Sequence, residues 1–212
     1  MTAPPERLPG RRSQAARNDG VILAAARDVF LQDPKAPIAA VAERAGVGIS
    51  ALYRRYPSKE DMLRQLCHDG LRRYLAEAEA VAAEPDGWHA FRTFLQRVVD
   101  ADVHSLTVHL AGTFTPTAGM RHDAQRAGVL TRDLVERARA GGRLRPGVVV
   151  DDVPLVLEGC AAIRVPDAAR TKELRRRYLA LLLDGLAARG AGALPGPPPG
   201  GADVNLRWRA GT

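Results

Sequence analysis

A short stretch of polar, basic and aromatic residues in the first third of the chain could bind nucleic acid. The residues concerned are Ile49, Ser50, Ala51, Tyr53, Arg54, Arg55 and Lys59. On a helix, the first six share the surface that the buried Leu52 leaves free. Arginine binds phosphates and guanine edges through two parallel hydrogen bonds, and such a helix fits the major groove of DNA. The residue types therefore point to a double-stranded DNA operator as a partner.

The residues around this stretch have the pattern of a helix-turn-helix motif. Residues 38–45 form a short amphipathic helix by their spacing, and Pro57 ends the helix that follows. The positions expected to pack inward are Ile38, Val41, Ala42, Val47 and Leu52. Gly46 supplies the positive φ that the tight turn requires. The alternative is that any glycine between two short amphipathic helices would give a similar pattern.

Apolar spacing, together with proline and glycine breaks, predicts further helices on both sides of this motif. They are expected at residues 18–31, 58–83, 88–110, 121–140, 151–163 and 168–189. Ser58, with Asp61 three residues later, resembles a capping box at the start of the long fourth helix. We therefore expect an all-α fold, in which an N-terminal three-helix helix-turn-helix domain is followed by a larger helical domain.

Four segments are expected along the chain. Residues 1–17 form a flexible arginine-rich arm, 18–66 the helix-turn-helix domain and 67–189 the helical domain. Residues 190–212 begin with a run of glycine, proline and alanine that cannot bury a core, so this tail is expected to be disordered. Arg11, Arg12 and Arg17 either contact DNA or remain solvated.

Composition narrows the class of protein. The 212 residues carry a net charge of +7, which suits nucleic acid but is also compatible with a solvated basic surface. No stretch of about 18 apolar residues predicts a membrane span, and no secretory signal is recognisable, so we expect a cytoplasmic protein. The histidines lack zinc-binding spacing, and no P-loop, dinucleotide fingerprint or nucleophile elbow is present. We therefore expect no enzyme, metal or cofactor.

The run from Ile38 to Leu63, IAAVAERAGVGISALYRRYPSKEDML, resembles the N-terminal signature of the TetR/AcrR family of transcriptional regulators. The matching elements are "AxxAGV", the "LYR" on the second helix of the motif, and an aromatic residue followed by "PSKE". The "ILAAARDVF" of residues 22–30 is similar to that family's first helix. The resemblance, which covers residues 18–66, implies that Tyr53 contacts a phosphate. It also implies that Lys59 lies against the DNA backbone at the start of the fourth helix.

The sequence departs from the usual family pattern at four places. Gly48 stands where a capping Ser or Thr is usual, and Ala51 where Thr is common. Arg55 replaces a frequent histidine, and Ala36-Pro37 replaces a phosphate-binding threonine. These departures affect which contacts the motif makes with DNA. The resemblance further implies that the second domain binds a ligand and dimerises.

The predicted helix 88–110 carries an apolar stripe that is interrupted by polar residues. The stripe and the aromatic residue after it comprise Trp88, Phe91, Leu95, Val98, Asp102, Leu106, His109 and Phe114. Small-molecule pockets are mostly apolar with a few polar groups, so we expect this face to line a cavity for an unknown effector. The alternative is that Asp102 and His109 are bonded within the fold or lie at the surface.

The last two predicted helices are the candidates for a homodimer interface. Their apolar stripe comprises Leu155, Val156, Gly159, Ile163, Leu174, Tyr178, Leu181, Leu182, Gly185 and Leu186. One recognition helix reads few bases, so two copies about one turn of DNA apart are required. Paired across a two-fold axis, these helices would form a four-helix interface, unless the stripe is an ordinary core face.

These patterns together predict a sequence-specific DNA-binding transcriptional regulator. We expect a repressor that a small-molecule effector releases from its operator. An activator of the same fold is one alternative, because activation depends on where the operator lies relative to the promoter. A helical protein-interaction module without DNA binding is another, and it would show no strongly salt-dependent binding to DNA.

Overall fold

Helices are the regular elements of this protein. The computed structural model describes residues 11–110, 112–188 and 192–204, without the side chains of residues 11–18, 202 and 204. Within these ranges the only β-type pairing is an isolated bridge between Leu144 and Ala187, and the expected all-α fold is confirmed. None of the described helices combines the length and apolar composition needed to cross a bilayer. The chain divides into two compact units, Met1–Leu66 and Cys67–Thr212.

The first unit contains three helices and the beginning of a fourth. They are α1 (Arg11–Gln32), α2 (Ile38–Ala45), α3 (Ile49–Arg55) and α4 (Lys59–Ala80). α1 begins at Arg11, although the sequence predicts a start near Asn18. Residues 11–17 contain good helix formers and neither proline nor glycine, so the helix extends beyond the expected cap. This shortens the expected arm, of which residues 1–10 lie outside the described part of the chain.

The turn between α2 and α3 holds the helix-turn-helix together. Gly46 adopts the left-handed conformation, with φ 66° and ψ 32°, and its N–H bonds to the carbonyls of Ala42 and Glu43. A residue with a Cβ atom would be strained there, as the sequence predicts. Leu52 is completely buried, whereas Val47 is only half-buried. Gly48 caps α3 without a side-chain hydrogen bond, because glycine lacks the hydroxyl that is usual at this position.

Ser58 caps α4. Its hydroxyl oxygen accepts a hydrogen bond from the backbone N–H of Asp61 at 3.1 Å, and the hydroxyl donates to the Asp61 carboxylate at 2.7 Å. The expected pairing of these two residues is confirmed. It starts α4 immediately after Pro57, so α3 and α4 are separated by a short, well-defined connection.

The second unit contains the rest of α4 and the remaining helices. They are α5 (Gly87–Asp100), α6 (Val103–Leu110), α7 (Ala118–Ala140), α8 (Asp152–Ala162), α9 (Ala168–Leu186) and α10 (Gly201–Val204). α5 packs against α7 and α9, while α8 packs against α6 and α9. Among the described residues of the buried core, α5 supplies the three aromatic side chains, Trp88, Phe91 and Phe94, together with Leu95 and two valines.

The predicted helix 88–110 is broken into α5 and α6 at Asp102. This residue has φ 51°, a left-handed conformation that aspartate tolerates better than most residues. Its carboxylate accepts hydrogen bonds from the Ser105 hydroxyl and from Arg175, whose Nη1 lies 2.6 Å from Oδ1. The prediction of a single long helix is therefore wrong. The break at Asp102 is stabilised by the bond to the distant Arg175, which the local spacing of apolar residues does not reveal.

Arg175 on α9 is buried, and its guanidinium is bonded on every side. Nε donates to the carbonyl of Ile163 at 2.9 Å, Nη2 to that of Ala161 at 3.3 Å, and Nη1 to Asp102. The guanidinium thus joins α9 to the end of α8 and to the break between α5 and α6. A buried charge is tolerated when it is paired and hydrogen-bonded in this way.

The chain after α9 returns to the loop that follows α7. Next to the bridge, Arg145 N–H donates to Leu186 O at 2.8 Å, and the Arg145 guanidinium donates to Gly192 O at 2.8 Å. Disorder is expected throughout residues 190–212, yet the described part of this range includes α10. The turn before α10 is closed by a bond from Gly200 N–H to the Asp203 carboxylate at 2.9 Å.

Candidate DNA interface and ligand cavity

The outward surface of α3 is the candidate DNA interface. All six residues expected to lie there are exposed, namely Ile49, Ser50, Ala51, Tyr53, Arg54 and Arg55. Tyr53 is 48% exposed and Ile49 is 39% exposed, so both side chains are accessible to a partner. The helix is held from behind by Leu52. An exposed polar, basic and aromatic surface on a firmly packed helix suits contact with a major groove.

Arg55 is held by a carboxylate of α1. Its Nε lies 2.9 Å from Oδ1 of Asp19, and its Nη2 lies 2.8 Å from Oδ2. This two-bonded pair raises the pKa of the arginine above its ordinary value, chiefly through the hydrogen bonds to Asp19. The Arg55 side chain is still 60% exposed, so it faces solvent while the orientation of its guanidinium is restricted. Sequence patterns did not indicate this pairing, because the two residues are 36 positions apart.

Arg54 is the other arginine on this surface. Within the described part of the chain it forms no ion pair, in contrast with Arg55. The two adjacent arginines therefore present different chemistry. The Arg54 guanidinium can reorient to bind a base edge or a phosphate. Arg55 can do so only if it releases Asp19 or binds both groups at once.

Lys59 has a different environment from the one that the resemblance implies. Its Nζ donates hydrogen bonds to the carbonyls of Pro34 at 2.8 Å and Ala36 at 2.7 Å. The same ammonium lies 5.0 Å from the centre of the Phe30 ring. Burial lowers its pKa, and the nearby Asp33 carboxylate opposes that change. The ammonium thus stabilises the connection between α1 and α2, and the expected bond from this group to DNA would require it to leave these carbonyls.

The second unit contains a cavity of about 370 Å³. This is within the usual size range of small-molecule pockets. Its walls come from α4, α6, α7, α8 and the loop before α8. They consist of Gly70, Leu71, Tyr74, Val103, His104, Thr107, Val108, Ala124, Ala127, Gly128, Thr131, Val150, Asp151, Pro154, Leu157 and Glu158. The lining is mostly apolar, with a few polar groups among the small residues.

None of the eight residues expected to contact an effector lines this cavity. The six apolar and aromatic ones are buried in the protein, namely Trp88, Phe91, Leu95, Val98, Leu106 and Phe114. Asp102 is bonded to Arg175, and Nδ1 of His109 donates to the carbonyl of Ser105 at 2.8 Å. The polar interruptions of the stripe are thus satisfied within the fold, which was the alternative interpretation. The apolar stripe of α5 therefore packs in the core of the second unit and does not form a wall of this cavity.

The signal that could have located the cavity is the distribution of small residues. On α7, Ala124, Ala127 and Gly128 fall at spacings of three and four and share a face with Thr131. Gly70 on α4 adds another position without a side chain. Small residues on facing helices leave a space that larger side chains would fill.

One side of α8 and α9 remains partly exposed. The inward positions of α9 are Thr171, Arg175, Leu179 and Leu183, and the expected dimer stripe lies beside them. In that stripe Leu155 is 45% exposed and Leu181 is 63% exposed. Gly159, by contrast, lies against the ring of Tyr178 of the same chain, where an added Cβ atom would come within 3.1 Å. Part of the stripe therefore packs within the chain, and part faces outward.

The two cysteines are buried. Burial raises the pKa of the Cys67 thiol to about 12 and that of Cys160 to about 11. Both groups are therefore protonated near neutral pH, and neither has the accessible thiolate that a reactive cysteine requires.

Comparison with known proteins identifies relatives for both units. Residues 22–66 match the model of the bacterial regulatory proteins of the tetR family. Residues 86–188 match the C-terminal domain of SbtR-like transcriptional regulators. No curated protein matches the chain.

Several solved structures have the same fold. A TetR transcriptional regulator from Streptomyces coelicolor is 26% identical, with a TM-score of 0.55 over 81% of this chain and 99% of that one. The TetR-like regulator LfrR from Mycobacterium smegmatis, in complex with proflavine, is 22% identical, with a TM-score of 0.63 over 84% and 99%. The regulator PfmR from Thermus thermophilus is 21% identical, with a TM-score of 0.61 over 78% and 98%.

Replacing Lys59 by methionine should reduce stability. The substitution removes two charge-assisted hydrogen bonds and leaves two carbonyls to be solvated, so we expect a loss of about 2 kcal/mol in the free energy of unfolding. Lys35→Met is the matched control, since that lysine is exposed. Urea denaturation monitored by circular dichroism measures both. Equal stability of the two variants would contradict the anchoring role.

Proposed function

Because this chain belongs to the TetR family of bacterial regulatory proteins, we propose that it is a homodimeric repressor controlled by a small molecule. As a member of that family it is a DNA-binding transcriptional regulator with a helix-turn-helix in its first unit. In the proposal, α3 binds an operator in the cytoplasm, and a ligand in the cavity of the second unit causes release. The observation that carries the proposal is the exposed surface of α3 on a tightly packed helix-turn-helix.

Two further observations support ligand control. The second unit has a cavity of small-molecule size with a largely apolar lining. The Mycobacterium smegmatis regulator of similar fold was solved in complex with proflavine. A ligand releases DNA only if it binds more tightly to the protein conformation that does not fit the operator. An activator remains the alternative.

The direct test is to select bound fragments from sheared genomic DNA with the purified full chain. A repressor should enrich one or a few short sequences with two-fold symmetry, and binding should weaken steeply as salt is raised. Fragments that overlap a promoter would indicate repression, and fragments upstream of it would indicate activation. Failure to enrich any sequence, with a folded dimer, would overturn the proposed operator binding.

Tyr53→Phe and Arg54→Ala should separate phosphate contacts from base contacts. Loss of the Tyr53 hydroxyl should weaken all duplexes similarly, whereas loss of the Arg54 guanidinium should weaken the operator most, by about 1 to 3 kcal/mol. Arg92→Ala, an exposed arginine of α5, controls for the change in net charge. Fluorescence anisotropy with operator and scrambled duplexes measures the affinities. If Arg54→Ala and Arg92→Ala behave alike, α3 is not the reading helix.

Asp19→Asn should increase binding to unrelated DNA. It removes a carboxylate and releases Arg55 to bind any phosphate, so we expect roughly three- to tenfold tighter binding to scrambled duplex and a smaller preference for the operator.

Asp28→Asn is the matched control for that substitution. Asp28 pairs with Arg44 at 3.1 Å on exposed parts of α1 and α2, so the substitution changes the charge equally and leaves Arg55 in place. The same anisotropy titrations at several salt concentrations compare the two variants. An equal increase in both would show that net charge alone is responsible.

Leu181→Glu should dissociate the proposed dimer. A carboxylate buried at an apolar interface costs at least about 2 kcal/mol, equivalent to roughly a 30-fold weaker dimer. Val129→Glu on α7 is the control, because Val129 is 61% exposed, close to the 63% of Leu181. Sedimentation velocity over a range of concentrations measures the association. A dimer that resists Leu181→Glu would place the interface elsewhere.

A further inference from the structure

The charged groups lining the cavity of the second unit are of one sign. Its described walls include two carboxylates, those of Asp151 and Glu158, and no lysine or arginine. His104 is the one basic side chain among the lining residues, so acidic side chains outnumber basic ones there. An anionic ligand would therefore enter a site of its own sign.

Both carboxylates come from the same region of α8. Asp151 precedes the helix, and Pro154 and Glu158 follow at spacings of three and four, so the three residues share one face. All three line the cavity and are half-buried. Electrostatic attraction is stronger at half-buried positions than at a fully solvated surface. This face of α8 therefore favours a positively charged or hydrogen-bond-donating group.

A second polar position in the cavity also favours a donor. The Tyr74 hydroxyl lies 2.8 Å from the Thr131 hydroxyl, which in turn donates to the carbonyl of Ala127 at 2.8 Å. A threonine hydroxyl has one hydrogen, so Tyr74 must be the donor to Thr131. The oxygen of Tyr74 then has only lone pairs left for a ligand. Burial raises the pKa of Tyr74 to about 12, so this group stays a neutral phenol.

The rest of the lining suits an apolar body. Leu71, Val103, Val108, Ala127 and Leu157 contribute aliphatic surface, while glycines at positions 70 and 128 leave open space. An apolar ligand gains from leaving water for such a surface, at about 25 cal/mol for each Å² buried. Few polar groups are available, so a ligand with many hydroxyl or carboxylate groups would leave most of them without partners.

We propose that the effector is an apolar amine: a hydrophobic molecule with a protonated nitrogen that binds at Asp151 and Glu158. This inference rests on the proposed function, because it names the chemical class of the ligand that the cavity takes. The aliphatic walls hold the body of the ligand, and the carboxylates of α8 select the sign of its charge.

The test compares three probes with one aromatic skeleton: naphthylmethylamine, naphthylmethanol and naphthylacetate. Isothermal titration calorimetry on the full-length protein without DNA gives their dissociation constants. We expect the amine to bind at least about tenfold more tightly than the alcohol, and the carboxylate to bind most weakly. Equal or tighter binding of the alcohol or the carboxylate would overturn the proposal, as would failure of the amine to bind.

Variants assign the selectivity to α8. The double variant Asp151→Asn, Glu158→Gln keeps the shape of the side chains and removes both charges, so the preference for the amine over the alcohol should disappear. Glu136→Gln is the control, because Glu136 is an exposed carboxylate of α7 outside the cavity lining. A preference that persists in the double variant, or is lost in the control, would contradict the assignment to these two residues.

DNA binding is measured separately, so that the two proposals fail in different ways. If the amine binds the cavity but does not release selected genomic fragments, ligand control of DNA binding is wrong while the ligand class stands. If the protein releases its DNA in response to an anionic compound that competes with none of the probes, the proposed class of effector is wrong while the regulator stands.

Discussion

The guanidinium of Arg175 is the interaction on which the second unit depends most. It is buried on α9 and bonded to the carbonyls of Ala161 and Ile163 at the end of α8 and to the Asp102 carboxylate. The Arg175 side chain is only 6% exposed, so removing the Asp102 carboxylate would leave a buried positive charge without its partner. The group therefore fixes the positions of the ends of three helices at once.

The position of the cavity follows from that constraint. Because Asp102 holds a left-handed conformation, α5 ends and α6 begins in a new direction. Val103, His104 and Thr107, on the first turns of α6, then contribute to the cavity wall. An uninterrupted helix would continue the face of α5, which supplies the aromatic side chains of the core. The ion pair thus stabilises the break between α5, which packs in the core, and α6, which lines the cavity.

In the first unit, polar bonds orient the candidate DNA surface. Two basic groups that the sequence assigns to DNA contact are already bonded within the chain, Arg55 to Asp19 and Lys59 to two backbone carbonyls. Such bonds restrict side chains that would otherwise lose conformational freedom on binding. Lys59 is part of the support of the motif, while Arg55 is both exposed and oriented.

Much of the fold could be predicted because its signals are local. Gly46 at a positive-φ turn, the pairing of Ser58 with Asp61, and the exposed residues of α3 all follow from spacing within a few positions. What could not be predicted depends on residues far apart in sequence. The break at Asp102 requires Arg175, the environment of Lys59 requires Pro34 and Ala36, and the cavity arises where small residues of several helices meet.

α8 links the two proposed activities of the second unit. Pro154, Leu157 and Glu158 line the cavity, while Leu155, between them in sequence, is 45% exposed on the proposed dimer surface. A helix moves as a unit because its backbone hydrogen bonds resist local deformation. A ligand that displaces the cavity face of α8 therefore also displaces the surface around Leu155. In a dimer built on that surface, occupation of one cavity would change the packing that its partner experiences, which is the physical basis for a concerted response of both subunits.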